Sequence, residues 1–374
     1  MHSRPKILFV LQTPPPYHGS SIMGQIIKES PKINNSFECK FINSLTSREI
    51  DQVGKAQIRK FFLYLRIAWS LLNHLLSFKP QICYYSITAS GIGFYKDAFL
   101  ITIIKLFRLP IVFHFHNKGI RNKQDNLVDN FLYKFVLKNS QVILLSENLY
   151  SDIEKYVSIK LVHLCPNGIP NNNIPLKLKT GKTEKVTVLF LSNLIKSKGV
   201  FILLEACKML KNRKVDFKCN FIGGFGDITE EQFNKKIDEL GILDIATYGG
   251  KKYNQEKEEA YTSSDIFAFP TYYHNECFPL VILEAMQHSL PVISTFEGGI
   301  PSMVDDGVTG FLTMQQDVNA FADKLEVLIN NKKLRDEMGK AARIKFEKNY
   351  TIEIFENNLS QILSKILKIT SSQK

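Results

Sequence analysis

The chain has 374 residues, too many for one ordinary hydrophobic core, so two domains are expected and a small binding module is excluded as the whole protein. It is 44% hydrophobic and 22% charged, the balance of a globular protein and not of a disordered, collagen-like or polytopic membrane chain. The net charge of +12 is placed unevenly: residues 1–175 carry twenty-one Lys and Arg against ten Asp and Glu, whereas 176–374 are nearly balanced. The first half is therefore expected to meet something anionic, a membrane surface, a phosphorylated substrate or nucleic acid, with a plain basic surface as the alternative.

The opening apolar run, Ile7 to Leu11, is too short for a secretory signal and is followed by Pro14, Pro15 and Pro16, so a cytoplasmic start is expected. Strands are predicted at 6–12, 37–43, 81–87, 110–116 and 141–146, apolar on both faces as parallel strands covered by helices on each side must be. Residues 61–78 (FFLYLRIAWSLLNHLLSF) are interrupted by Arg66, Asn73 and His74. Their apolar positions 61, 62, 65, 68, 69, 72, 75 and 76 share one helical face, which predicts an amphipathic helix packed on the sheet, with a membrane-surface helix as the alternative and a membrane span excluded. The polar, proline-punctuated stretch 166–185 reads as a linker.

The alternation then restarts, with strands predicted at 186–192, 217–223, 245–250, 265–270, 291–295 and 310–313. Helices are predicted near 199–212, 229–240, 254–263, 279–288, 317–329, 332–347 and 351–368. The expected fold is α/β: two doubly wound Rossmann-like domains, 1–175 and 176–354, facing a central cleft, with a C-terminal helix at about 355–374 crossing back to the first domain. Six cysteines at 39, 83, 165, 207, 219 and 277 form no C-x-x-C pair and no cluster with His, so neither a zinc site nor a disulfide framework is expected and a reducing compartment fits.

Chemistry concentrates in residues 269–312, FPTYYHNECFPLVILEAMQHSLPVISTFEGGIPSMVDDGVTGFL. Glu276 and Glu284 are separated by seven residues, the first in a loop after a strand and the second inside the next helix. Pro279 suits the first turn of that helix, so the amides that follow it in the Phe278-Pro279-Leu280-Val281 segment would be free donors at a positive dipole end, a place for a diphosphate. Glu284, deeper in the helix, could accept from two adjacent ribose hydroxyls; a solvated helix face is the plainer explanation, weakened by its apolar setting VILEAM.

The Glu-x7-Glu segment, followed by EAMQHSLPVIST, GGIP and DGVTGFL, resembles the donor-binding signature of the retaining glycosyltransferase family 4, which has the two-domain GT-B fold. The resemblance covers nearly the whole chain and is densest in the second half. It implies a nucleoside diphosphate sugar donor held by the C-terminal domain and an acceptor on the N-terminal domain. It also implies that neither a divalent metal nor another cofactor is required. By the same resemblance Glu276 would contact donor-sugar hydroxyls and Glu284 the ribose.

After the first strand of the second half comes LSNLIKSKGV, in which Lys198 matches the family's phosphate-binding lysine; a surface lysine is the alternative. The family more often has Gly-Arg-Leu where this chain has Ser192-Asn193-Leu194. Asn193 therefore supplies a hydrogen bond without charge, and Lys196 offers a substitute cation. In FIGGFGD, Gly224 to Gly226 read equally as a tight turn or a loop near the nucleotide base. In TPPPYHGSS, Gly19 lets a ligand approach the backbone, with Ser20 where the family carries a second glycine. His116 closes PIVFHFHN at the cleft end of its strand and matches the family's histidine near the reacting sugar. His114 shares its face, and one of the two is expected in the core.

The sequence thus implies a retaining hexosyltransferase, cytoplasmic or peripheral at the inner membrane face, whose acceptor is a lipid-linked glycan or surface-polysaccharide precursor. Lys55, Arg59, Lys60 and Arg66 would face the membrane. Alternatives are a nucleotide-sugar epimerase, a glycoside phosphorylase of similar fold, or a non-catalytic nucleotide-sugar binding subunit. Nucleic acid is not expected as a partner, because no RNA- or DNA-binding module is recognisable.

Overall fold

The computed structural model describes residues 4–45, 55–172 and 185–372, with backbone alone for 55–61. Most of the expected linker, 173–184, lies outside the described residues. The chain divides into two compact units, one of residues 1–167 with 353–374 and the other of 168–352.

Unit 1 runs β1 (Lys6–Leu11), α1 (Gly19–Glu29), α2 (Pro31–Ser36), β2 (Glu38–Asn43), α3 (Lys55–Ser77), β3 (Ile82–Ile87), α4 (Gly91–Leu106), β4 (Ile111–Phe115), α5 (Leu127–Leu137), β5 (Gln141–Leu144) and β6 (Val162–Leu164). Its strands form one parallel sheet in the order β2-β1-β3-β4-β5-β6. Every residue of β3 and β4 is buried, which is why these strands carry no polar alternation: helices cover both faces of the sheet. The order in which strands are added reverses between β1 and β3, the switch point at which such sheets leave a crevice at their carboxyl ends.

Helix α3 departs from the expected packing. Ile67, Ala68, Leu71 and Leu75 are buried, but Leu65, Trp69 and Leu76, assigned to the same packed face, are exposed. The apolar stripe is wider than the sheet can cover, so half of it turns outward. The side chains of Lys55, Arg59 and Lys60 lie outside the described residues, while Arg66 is exposed. Among the described residues no helix is long and apolar enough to cross a membrane.

Unit 2 runs β7 (Val186–Leu191), α6 (Val200–Asn212), β8 (Phe217–Ile222), α7 (Glu230–Leu240), β9 (Ala246–Tyr248), α8 (Asn254–Thr262), β10 (Ile266–Ala268), α9 (Leu280–Gln287), β11 (Val292–Thr295), α10 (Ile300–Met303), β12 (Gly310–Thr313), α11 (Val318–Asn330) and α12 (Lys332–Asn349). Its parallel sheet has the order β12-β11-β10-β7-β8-β9, with the switch point between β7 and β10. The first residues of the predicted linker are packed on this unit: Ile169 bridges Thr351, and Arg343 Nη2 donates to Asn171 Oδ1 at 2.9 Å. The last helix, α13 (Ile352–Ser372), returns to unit 1 and buries Phe355, Leu359, Leu363 and Ile366 there.

Candidate active site

In unit 2 the loops that follow β7 and β10, the two strands flanking the switch point, are fastened to each other. Tyr272 N donates to Ser197 O at 2.8 Å. Gly199 sits at φ +88 as the N-cap of α6, and a Cβ there would lie 2.1 Å from the carbonyl oxygen of Pro270. Only glycine fits both the conformation and the space. This close approach brings Lys198, at the end of a 3-10 turn, against Glu276 in the opposite loop.

Lys198 Nζ donates to Glu276 Oε2 as an ion pair, with side chains 14% and 10% exposed. The ammonium also lies 4.7 Å from the ring centroid of Tyr273 and 5.4 Å from that of Phe269. Two aromatic faces thus help hold a cation that has little water around it. Glu276 is fixed through its backbone: its N–H donates to Tyr273 O at 2.7 Å, and Gly298, at φ +54, presses so closely that a Cβ would lie 2.1 Å from its carbonyl oxygen. The GGIP segment is the buttress under the glutamate.

Pro279 is the N-cap of α9, one residue earlier than the expected first-turn position, and no side chain caps the helix. The opening amides are therefore free of a side-chain partner at the positive end of the dipole. Pro279 is buried; Leu280 and Val281 are half-buried. Phe278 turns its ring into the core, edge-on to Tyr350 at 5.7 Å, so what it offers outward is backbone.

Glu284 lies in the middle of α9 with both oxygens engaged by α8: Lys257 Nζ donates to Oε1 at 2.5 Å and Tyr261 Oη to Oε2 at 2.8 Å. Burial first, then the neighbouring Glu284 charge, hold the Tyr261 hydroxyl well above its usual range, so it remains a donor. Neither Lys257 nor Tyr261 was singled out from the sequence. Their spacing of four along a helix, one basic and one phenolic, is the signal that could have found them.

Asn193 is exposed in the loop after β7, as is Lys196, whose N–H donates to Asp227 Oδ1 at 2.7 Å. Gly224 is a backbone element: its carbonyl accepts from Leu194 N at 2.7 Å, Leu194 forms a parallel bridge with Phe225, and a Cβ on Gly224 would lie 2.5 Å from Lys251 Cε. The loops after β7 and β8 are zipped together there.

In unit 1, His116 follows β4 and its ring lies 4.2 Å from that of His114, as two residues on one strand face should. His114 is the core member, its Nδ1 2.7 Å from Tyr84 Oη. His116 Nδ1 is buried with no hydrogen-bond partner, and burial, with a smaller contribution from the nearby His18 charge, lowers its pKa to about 4. The imidazole is neutral at pH 7. Gly19 opens α1 with no atom within 4 Å of where a Cβ would be, and His18 caps that helix by accepting from Ser21 N. Asn117 ties the loops after β3 and β4 together by accepting from Ala89 N at 2.9 Å.

With this geometry established, residues 175–345 match the family model described as glycosyl transferases group 1. Of the unit 2 residues of the site described above, all but Tyr350 lie inside the matched segment. Over 203 residues the chain is 29% identical to the amylovoran biosynthesis glycosyltransferase AmsK of Erwinia amylovora, covering 53% of this chain and 49% of that protein. The chain spans about a third to a half of the length of the curated relatives it matches. Among solved structures, sucrose-phosphate synthase from Thermosynechococcus elongatus superposes with a TM-score of 0.75 at 16% identity, over 98% of this chain and 100% of that one. HepE of Anabaena, in complex with UDP-glucose, gives 0.72 at 18% identity over 96% and 99%. At such identities the likeness establishes the fold, which is GT-B.

Proposed function

We propose that the protein is a retaining glycosyltransferase that moves a hexose-type unit from a nucleoside diphosphate sugar to a hydroxyl acceptor. The observation that carries this reading is the Lys198–Glu276 pair beside the uncapped start of α9. A diphosphate entering this loop cluster takes Lys198 and the α9 amides as its counter-charge and releases Glu276 to the hydroxyls of the attached sugar. Glu284, already aimed by Lys257 and Tyr261, accepts from the ribose diol. The crystallised relative-in-fold HepE, which binds UDP-glucose, supports a uridine nucleotide as the first donor to try.

Retention is carried over from the resemblance of the Glu276–Leu312 motifs to the retaining glycosyltransferase family 4. Double displacement needs a carboxylate nucleophile and a separate acid/base, and both glutamates here are engaged in binding. The route we assign is front-face displacement: the leaving phosphate takes the acceptor proton while Lys198 and the helix amides stabilise its charge. Lys198 supplies the cationic charge that a metal would otherwise bring, so metal-independent transfer is part of the proposal. Unit 1 is assigned the acceptor, with neutral His116 as a hydrogen-bonding group toward the sugar. The basic first half, and the relatives of polysaccharide biosynthesis, support a lipid-linked glycan or surface-polysaccharide precursor at the cytoplasmic face of a membrane.

The test combines binding and product analysis. Thermal stability is read with UDP, GDP, ADP and their sugar conjugates, with and without EDTA, and the anomeric configuration of any product is read by NMR. A stabilisation of about 2.7 kcal/mol at a hundred times the dissociation constant, unchanged by EDTA, with a product of the donor's own anomeric configuration, is expected. An inverted product overturns the retaining mechanism, and no nucleotide response overturns the donor site.

A further inference from the structure

We infer that the outer face of the α3–α4–α5 layer docks on an anionic lipid bilayer, with Trp69 among the acyl chains. The inference rests on the membrane acceptor proposed above and assigns it a surface. The three helices are neighbours. Tyr64 Oη of α3 donates to Lys96 O of α4 at 2.7 Å, and Tyr95 Oη of α4 donates to Asp129 Oδ1 of α5 at 2.8 Å. Each then turns an apolar stripe to solvent: Leu65 and Trp69 on α3, Phe99 and Leu106 on α4, Leu127 and Phe131 on α5. Trp69 is 74% exposed, Leu106 77% and Phe131 68%, values that scattered surface residues reach singly but that adjoining helices do not reach together without a partner.

Charge selects the partner. Residues 62–138 contain ten Lys and Arg and only three acidic residues. Of those three, Asp97 is buried, taking Tyr85 Oη and Thr88 N at 2.8 Å each, and Asp129 is buried beneath Tyr95. Asp125 is the exposed carboxylate that remains, while Arg66 and Lys134 are exposed on the same helices as the apolar stripes and Lys138 is exposed at the C-cap of α5. Aromatic and aliphatic side chains fringed by cations suit acyl chains beneath anionic headgroups. A second copy of this chain would instead set cations against cations.

Trp69 is the protein's single tryptophan, so its fluorescence reports this face alone. The full chain is titrated with vesicles of phosphatidylcholine, with and without phosphatidylglycerol, and with brominated acyl chains. A blue shift that requires phosphatidylglycerol, weakens with salt and is quenched by the brominated chains is expected. A variant carrying Phe99→Ser and Phe131→Ser, which keeps Trp69, should partition at least tenfold more weakly while its nucleotide-induced thermal shift is unchanged. Emission indifferent to vesicles, equal partitioning to neutral vesicles, or a blue shift that follows protein concentration without lipid each overturns the docking face. The nucleotide response is read in the same samples, so loss of docking with that response intact leaves the glycosyltransferase reading standing.

Discussion

Lys198 and Glu276 stand 78 positions apart in the chain and form a largely buried ion pair where the loops after β7 and β10 meet. Removing either partner leaves the other charge without compensation, and the two losses should differ. Lys198→Ala is expected to weaken nucleoside diphosphate binding about 10- to 100-fold, or about 1.4 to 2.7 kcal/mol, by calorimetry. Glu276→Gln should keep that affinity within about threefold and lower transfer at least about 100-fold. Equal loss of nucleotide affinity in both would reduce the pair to a structural brace.

Glu284 is held by two donors from α8, so its role can be read without deleting it. Tyr261→Phe removes one hydrogen bond to a charged group and should weaken nucleotide binding about tenfold. A 2′-deoxyribose nucleotide should bind the wild type more weakly than its ribose parent and bind Glu284→Ala equally with it. Unequal binding in the variant would take the ribose contact away from Glu284.

Two glycines separate packing from ligand space. At Gly199 a side chain meets the Pro270 carbonyl in a backbone conformation at φ +88, and Gly199→Ala should cost about 2 kcal/mol or more in chemical denaturation. At Gly19 nothing lies within 4 Å of the added methyl, so Gly19→Ala should leave stability within about 0.5 kcal/mol. If that space takes a ligand, as the proposed function has it, transfer should nevertheless fall; unchanged turnover would show that it is merely surface.

His116 gives stability a pH dependence of definite sign. Its folded pKa is lowered from 6.5 to about 4, so between those values the unfolded chain binds more protons. Stability should rise as pH climbs from about 4 to 6.5 and level off above. His114, lowered well below its usual value by burial, adds to the same slope. Denaturation of His116→Asn across that window should show a shallower rise, and an unchanged slope would place the titration elsewhere.

The long apolar runs were legible because a strand buried on both faces needs no alternation, and β1, β3, β4, β7 and β8 fall where those runs are. β6 escaped notice: Val162–Leu164 is three residues long with a histidine in the middle, too short for any period. The outward half of α3 was also misjudged, since periodicity says which side chains share a face but not how wide a face the neighbouring sheet can cover. In the site, Glu276, Glu284 and Lys198 were visible as motif residues with local spacing. Lys257, Tyr261 and the aromatic walls Phe269 and Tyr273 were not, because their relation to the charged groups exists only after β7, β10 and their loops pair.

Helix α13 closes unit 1 with residues that follow the whole of unit 2 in the chain. On the ribosome, unit 2 can therefore be complete while unit 1 still lacks Phe355, Leu359, Leu363 and Ile366, four of its fully buried side chains. The half assigned to the nucleotide can become competent first, and the half assigned to the acceptor waits for α13 to be made. A chain stopped before Glu353 would release a unit 1 with an uncovered apolar surface, which makes synthesis through α13 a precondition for that half's solubility.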